Sequence, residues 1–392
     1  MKKSICAFFL LVATLTSVSA KTITIPAEMD SSWIISVLTC TPGEELYSTF
    51  GHSAIRIRKD ELTNTPIDVI YNYGTFDGFQ ENFVLKFARG KLEYSLSVES
   101  FQDFYSSYIL EKRGVTEQTL DLSSAQKRDL FILLAENSAP ENRNYKYDFF
   151  YDNCATRIEQ ILRKALGDGF VIQDNYAGKN SFRDAIDLYL TRHPWGDYGI
   201  DLALGLPCDK KMEYGQSMFL PDSVFARLSE AKLDGKPLVA KTEEILPAEP
   251  SAYEDIFFTP LQVNIIWLVI CIVAGFIFCA KRKYYLFTDR ITMFITGLVG
   301  IFLLLLWFCT DHRATAYNLN LLWANPINLI VAFLPASKLV RWKRYITVYM
   351  VVLGLLLILW YFLPQHMNLA VIPLIAAILF AGVRMMKLKI QE

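Results

Sequence analysis

The stretch Tyr147–Gln160, YDFFYDNCATRIEQ, sets Cys154 after Asp152-Asn153 and just ahead of a helical pattern. A cysteine in that place has nucleophilic chemistry open to it, because a helix N-terminus favours the thiolate over the thiol. Such a thiol also needs a base or an imidazolium beside it. The polar half of the chain offers two imidazoles, His52 and His193. His52, in YSTFGHSAIRI, follows Gly51 and opens a strand, so it can face a helix-borne thiol; His193, in TRHPWGD, reads as a helix cap ahead of Pro194. Cys154 and His52 are therefore the candidate catalytic pair. A third group normally orients the imidazole, and two candidates lie on the following strand, Asn72 first and Asp68 second. Backbone N–H groups at the helix start could form an oxyanion hole, and Asn153 beside them is a candidate substrate contact. Nothing in this chemistry requires a metal or an organic cofactor. Taken alone, one cysteine and one histidine remain a thin signal, since cysteine is among the residues most often buried as plain core.

The elements that must position these residues are legible from periodicity. Trp33–Cys40 reads as a buried strand, His52–Arg58 as a half-buried one with strict alternation, and Asp68–Gly74 and Lys91–Ser100 as further strands. Helical patterns follow at 101–109, 124–137, 153–166 and 181–191, with Ser123-Ser124 as a capping signal for the second. Strands grouped early, with helices on both sides of Cys154, predict an α+β domain over 21–245. Proline-rich LPAEPSAYED marks a linker, placed at 246–258.

The seven cysteines sort by context. Cys6 lies in the N-terminal leader, and Cys271, Cys279 and Cys309 lie in or beside apolar runs. Cys40, Cys154 and Cys208 remain. In an exported domain, where thiols tend to oxidise, the simplest partition is a Cys40–Cys208 disulfide with Cys154 free, although sequence alone does not fix a pairing.

Formal charge is nearly balanced, at -1 over 392 residues, which argues against a nucleic-acid reader. That balance hides an asymmetry, for beyond Phe257 the chain becomes mostly Leu, Ile, Val, Phe and Trp. Residues 1–20 have the basic start, apolar middle and small-residue end of a secretory signal peptide. Apolar runs at Leu261–Ala280, Ile291–Cys309, Pro326–Ala336, Ile346–Leu363 and Leu369–Val383 predict a five-helix membrane domain over 259–392. The third run is short unless it recruits Leu319–Trp323. Lys281, Arg282, Lys283 and Arg290 follow the first run, Lys338, Arg341, Lys343 and Arg344 the third, and Arg384, Lys387 and Lys389 the fifth. The positive-inside rule puts these basic loops in the cytoplasm, and the N-terminal domain outside, in the periplasm of a cell with two membranes.

The outer loop DHRATAYNLNLLWANP (311–326) carries Asp311, His312, Arg313, Asn318 and Asn320. One reading is a solvated loop with an interfacial Trp323. The other is a headgroup or substrate platform, since Arg and Asn at a lipid surface suit phosphate recognition.

YSTFGHSAIRI (47–57), VIYNYGTFD (69–77), YKYDFFYDNCATRIEQIL (145–162), LALGLPCDK (202–210) and the 311–326 loop, in this order, resemble the Lnb-type lipoprotein N-acyltransferases of Bacteroidota. The resemblance covers nearly the whole chain after the leader. It implies a permuted papain-like (NlpC/P60-like) periplasmic domain, in which histidine precedes cysteine, followed by an all-α domain of five transmembrane helices. It places the catalytic pair on His52 and Cys154. The expected activity is transfer of a fatty acyl chain from a phospholipid, through a Cys thioester, to the α-amine of a diacylglyceryl-cysteine. The expected partners are a phospholipid donor, a diacylated lipoprotein and inner-membrane lipid. Two rivals make different demands on the sequence. A membrane-anchored thiol peptidase or amidase acting on the cell wall would want an open polar cleft. A non-catalytic envelope scaffold would have no use for Cys154 or His52.

Overall fold

Alternation at period two builds the sheet. In β1 (Trp33–Cys40), Trp33, Ile35 and Val37 enter one apolar cluster while Leu38 and Cys40 enter another on the opposite face. β2 (His52–Lys59) splits likewise, with Ile55 and Ile57 opposed to Ala54, and β3 (Asp68–Thr75) sets Tyr71 and Tyr73 against Ile70. Both faces are apolar because both are covered by helices. The computed structural model describes residues 26, 28–59, 67–78, 81–173, 177–250, 257–279 and 286–388, with the side chains of 83, 84 and 279 excepted. The expected leader at 1–20, residues 251–256 of the expected linker and the basic loop at 281–283 lie outside them.

Among the described residues the main sheet has seven antiparallel strands in the order β10-β5-β1-β2-β3-β4-β6. They include β4 (Glu93–Ser100), β5 (Val115–Leu120), β6 (Asn144–Lys146) and β10 (Val239–Leu246). A small second sheet joins β7 (Phe170–Val171), β8 (Lys232–Leu233) and β9 (Lys236–Pro237). α3 (Ser124–Ser138) and α4 (Cys154–Leu166) cover one face through Leu130, Phe131, Ile158 and Leu162. α2 (Phe101–Leu110) covers the other through Phe104 and Tyr108. Ser123 caps α3 in a reciprocal box with Gln126, as its sequence position predicts. α1 (Phe83–Ala88) sits in the β3–β4 connection. α5 (Phe182–Leu190) and α6 (Pro194–Ala203) border a separate cluster that includes Phe150, Phe182 and Phe219, while α7 (Pro221–Glu230) joins the main-sheet cluster through Val224 and Leu228.

β5 and β10 have no counterpart in the sequence reading. β5 buries polar residues, Glu117 against Ser36 and Arg56 and Gln118 against Ser229, so it lacks the apolar alternation of a strand. β10 is an edge strand whose exposed Lys241, Glu243 and Glu244 look like the start of a linker.

Among the described residues of the C-terminal half, three helices are long and apolar enough to cross a membrane: Pro260–Phe278 within α8 (Pro260–Cys279), α9 (Phe287–Cys309), and Leu369–Met386, which contains α13 (Ile372–Met386). α12 (Lys343–Ile358) has sixteen residues. The third expected span is not a continuous helix. It holds α10 (Ile327–Phe333), seven residues and so about 10 Å, followed after Pro335 by α11 (Ala336–Leu339). Together with a 3-10 turn at Leu319–Leu322, it runs beside α9 as a broken element. Gly300 and Gly297 permit this approach: a Cβ on Gly300 would lie 2.0 Å from the Ala324 carbonyl, and one on Gly297 2.4 Å from the Leu329 nitrogen. Irregular backbone survives in lipid only where protein satisfies its polar groups. Here the Tyr349 hydroxyl donates to the Trp323 carbonyl, and Asn328 Nδ2 donates to the Tyr349 hydroxyl at 2.8 Å and to Thr296 at 3.1 Å.

The two halves are locked together. Asn318 Nδ2 donates to the carbonyls of Leu202 (2.7 Å) and Ala203 (3.2 Å), Asn320 Nδ2 to that of Asp201 (3.1 Å), and Gln365 Nε2 to that of Leu204 (3.0 Å). Gly205 rests against Ala316, where a Cβ would lie 1.9 Å from the carbonyl oxygen.

The expected Cys40–Cys208 disulfide is absent. Both are free buried thiols in different clusters, Cys40 with Leu38, Ala54 and Tyr108 and Cys208 with Phe150 and Phe219. Burial pushes each up to about 12, so both behave as packing residues.

Candidate active site

Gly51 turns the chain into β2 at φ +78°, a conformation that favours glycine. A Cβ there would also stand 2.8 Å from the Cys40 carbonyl. The turn sets His52 opposite Cys40 at the end of the sheet. α4 packs against β2 and β3, so its first residue, Cys154, arrives at that same end. The start of α4 is fixed by Asn153, whose Oδ1 accepts from the N–H groups of Ala155 and Thr156, both at 2.9 Å. Its Nδ2 donates to the carbonyls of Phe149 and Phe219, each at 2.7 Å.

The imidazole is held from behind. His52 Nε2 lies 2.6 Å from Asn72 Oδ1, and Asn72 Nδ2 donates to Glu99 Oε1 at 2.7 Å. Because Asn72 gives its amide to a carboxylate, its oxygen must face the ring, and His52 Nε2–H donates to it. Nδ1 is then the nitrogen left for the thiol. Burial alone would raise the Cys154 pKa, but the His52 charge, its hydrogen bond, and the N–H groups of Ser53 and Ala155 outweigh burial and lower it. Burial likewise works to lower the His52 pKa, and the Cys154 charge and the bonds to Cys154 and Asn72 outweigh it and raise it. Opposed shifts of this kind favour a thiolate–imidazolium pair.

Of the expected site residues, Cys154, His52 and Asn72 meet. Asp68 does not join them, because its carboxylate is taken by Arg56 through Nε at 2.8 Å and Nη2 at 2.6 Å. Asn153 is no substrate contact; all its hydrogen-bonding capacity goes into the helix cap and two carbonyls, and it is 2% exposed. Asn318 and Asn320 are likewise buried clamps between the two halves. Asp311 and His312 serve the same junction. Lys146 Nζ approaches Asp311 at 3.4 Å, the Asp311 N–H donates to the Arg89 carbonyl at 2.9 Å, and His312 Nε2 lies 3.2 Å from the Phe87 carbonyl. Arg313 stands exposed on this loop, its charge felt at the Tyr151 hydroxyl. His193 holds the N-cap position of α6 before Pro194, without a side-chain cap bond. Glu99 escaped the sequence reading, because a charged residue one position from a strand end looks like solvated surface. Only the strand register, which pairs Ile70 with Glu99, brings it to the back of Asn72.

A helix-borne thiol and a strand-borne imidazole, in a domain fastened to a bundle of apolar helices, define a membrane protein with a candidate thiol site on one side of the bilayer. Residues 24–177 match the Lnb N-terminal periplasmic domain, and residues 252–392 match the Lnb transmembrane domain. The chain belongs to the Lnb-type family, as an inner-membrane protein with a periplasmic domain. No curated protein sequence and no solved structure matches it.

Proposed function

We propose that this protein is a lipoprotein N-acyltransferase, which moves a fatty acyl chain from a phospholipid, through a thioester on Cys154, to the α-amine of a diacylglyceryl-cysteine. One observation carries this reading. The thiol–imidazole pair is reached by a segment that rests on the outer loop of the membrane domain, with Lys146 on Asp311 and Ala314 packed against the cluster that holds Phe150. A lipid ester in the outer leaflet is the substrate such a placement suits, because tethering raises the effective concentration of the thiol. The β3–β4 connection adds to this. It carries exposed Phe76, Leu85 and Phe87, and its end is pinned to His312 at the membrane surface.

The steps follow from the pair. His52 holds the proton of Cys154, and the thiolate adds to the ester carbonyl. As the tetrahedral species collapses, the carbon–oxygen bond breaks and the His52 imidazolium protonates the leaving lysophospholipid oxygen. A thioester remains on Cys154. The lipoprotein amine then adds to that carbonyl and gives a proton to His52. The carbon–sulfur bond breaks, leaving an amide and the thiolate–imidazolium pair. Asn72 keeps the ring in the tautomer this cycle needs. The chain order, histidine before cysteine, with the thiol helix packed on an antiparallel sheet, supports the permuted papain-like reading of the domain.

The test expresses the parent or its Cys154→Ala form in a cell whose own lipoprotein N-acylation is switched off, and reads one lipoprotein's N-terminal peptide by mass spectrometry. The reading expects a third acyl chain with the parent alone. A third chain with both would discard the thioester, and none with either, despite correct membrane insertion, would favour the hydrolase.

A further inference from the structure

An acyl transfer needs donors aimed at the oxygen that becomes negative. The helix start is the usual source, but Asn153 takes the N–H groups of Ala155 and Thr156. The N–H of Cys154 itself, at the first helical position, has no acceptor within the helix. Two side-chain hydroxyls near the pair, those of Ser53 and Tyr145, are buried without a hydrogen-bond partner among the described residues. The Tyr145 hydroxyl is buried and unsatisfied, a state that buried hydroxyls rarely tolerate without a reason.

The geometry around Gly74 supplies that reason. Gly74 has φ +89°, and the space where its Cβ would stand is bounded by three atoms. They are Cys154 Cβ at 3.6 Å, Tyr147 Cε2 at 3.7 Å and the Tyr145 hydroxyl at 3.9 Å. A nucleophile, an aromatic wall and an idle donor thus converge on a gap that a side chain would fill. We propose that this gap is the subsite for the substrate's reacting carbonyl, with the Tyr145 hydroxyl and the Cys154 N–H donating to its oxyanion. The proposal rests on Cys154 attacking a carbonyl, as in the function above.

The surroundings fit a fixed donor. The Arg157 guanidinium lies over the Tyr145 ring at 4.1 Å, and Asp152 holds Arg157 through an Nη2–Oδ2 bond of 2.7 Å. Burial first, and the charge of Cys154 second, push the Tyr145 hydroxyl pKa up, so it keeps its proton while the thiolate forms. In the addition step the carbon–sulfur bond forms, the carbonyl π pair moves to oxygen, and Tyr145 donates a hydrogen bond without losing its proton. The ligand class also follows. Tyr94 stacks on Tyr147 at 4.2 Å, and Phe76, 46% exposed, meets Tyr94 at 5.3 Å. This aromatic ladder leads from the gap toward the membrane-pinned connection, and it suits an acyl ester or thioester with an extended apolar chain.

Tyr145→Phe removes the hydroxyl and little else. Two reactions of Cys154 in the full-length protein separate a donor from a packing residue. Acylation by p-nitrophenyl butyrate, followed by release of p-nitrophenol, passes through an oxyanion; alkylation by iodoacetamide does not. The expected result is an acylation rate lower by roughly 10²–10³-fold, with alkylation within about twofold of the parent. An acylation rate within about threefold of the parent would overturn the proposal, and so would a parallel loss of both reactions. The ester probe contains no phospholipid. A null effect of Tyr145→Phe therefore strikes this subsite alone, whereas absence of N-acylation in cells strikes the acyltransferase reading alone.

Discussion

The carboxamide oxygen of Asn72 lies 2.6 Å from Nε2 of His52, on a strand that pairs directly with the one carrying the histidine. Its nitrogen is committed to Glu99 at 2.7 Å. The ring is thus oriented by a neutral amide, and the amide by a carboxylate. Asn72→Ala should lower acyl transfer by about 10–10²-fold, and His52→Ala by about 10²–10⁴-fold, the range of a lost general base. Glu99→Gln should fall between the parent and Asn72→Ala, because a glutamine can accept from Asn72 but no longer enforces its orientation. Single-turnover acylation of Cys154 would measure all three. A Glu99→Gln rate below that of Asn72→Ala would show that the carboxylate acts by some route other than Asn72.

Thiol reactivity should report the pair directly. The Cys154 pKa is lowered and that of His52 raised, so the thiolate persists below the pH at which an ordinary cysteine is protonated. The rate of iodoacetamide alkylation plotted against pH should show its inflection below the usual thiol range. In His52→Ala, burial is opposed only by the N–H groups of Ser53 and Ala155, and the inflection should move up. An unmoved inflection would mean that His52 does not hold the thiolate.

The contact between the halves should matter to lipid substrates more than to the thiol. Gly205→Val would drive a side chain into the Ala316 carbonyl, 1.9 Å from where a Cβ would stand. Asn318→Leu would take the Asn318 donor from the carbonyls of Leu202 and Ala203, leaving Leu202 only the longer 3.4 Å bond from Asn320 Nδ2, at about 1–3 kcal/mol for a buried group left unpaired. Both variants should lose N-acylation of lipoproteins in cells while Cys154 remains reactive to iodoacetamide. If N-acylation survived in both, docking on the membrane domain would be irrelevant to the substrate.

How far the sequence reached depends on what each feature asks of the chain. β1 and β3 were legible because buried faces leave strong apolar patterns, β2 from its alternation although helices bury both its faces rather than one, and α4 because an asparagine cap precedes an amphipathic run. His52 and Cys154 were legible by residue type. Glu99 was not, since its partner comes from strand register. Nor were the roles of Asn318 and Asn320, which look like loop polarity until the backbone of α6 is brought against them. The break in the third apolar run hid for a related reason. Hydropathy counts apolar residues, whereas the break is made by Pro326, the small faces of Gly297 and Gly300, and the hydroxyl of Tyr349.

A pH-dependent stability term should come from the acidic group at the same junction. Asn368 Nδ2 donates to Asp197 at 2.8 Å and to Asp201 at 3.1 Å, while Arg183 pairs with Asp201 and Asp209. Burial first, then the charges of Asp201 and Asp197, push Asp187 up to about 7; burial and Asp201 push Asp197 up to about 6. In the unfolded chain such carboxyls titrate near ~3.9. Between these values the folded protein keeps protons that the unfolded chain has released, so stability falls as pH rises through that window. Asp187→Asn removes the group's contribution. Its melting midpoint should exceed the parent's at pH 8, and the difference should shrink toward zero near pH 4. An equal difference at both pH values would assign the effect to packing rather than to charge.

Within the membrane domain, Arg384 on α13 pairs with Asp289 in the first turn of α9, and neither is exposed beyond 5% as a side chain. Asp289 also accepts from the Leu286 N–H at 2.9 Å, so the carboxylate both caps α9 and ties it to α13. A buried pair is weak support for net stability, yet removing one member leaves the other as an uncompensated charge, at about 3–5 kcal/mol. Arg384→Leu should therefore unfold the membrane domain at markedly lower denaturant than the parent. Arg384→Leu combined with Asp289→Leu should recover much of that loss, less the cost of the cap. Strictly additive losses in this double-mutant cycle would show that the two side chains do not stabilise one another, and that α9 and α13 are held together by packing alone.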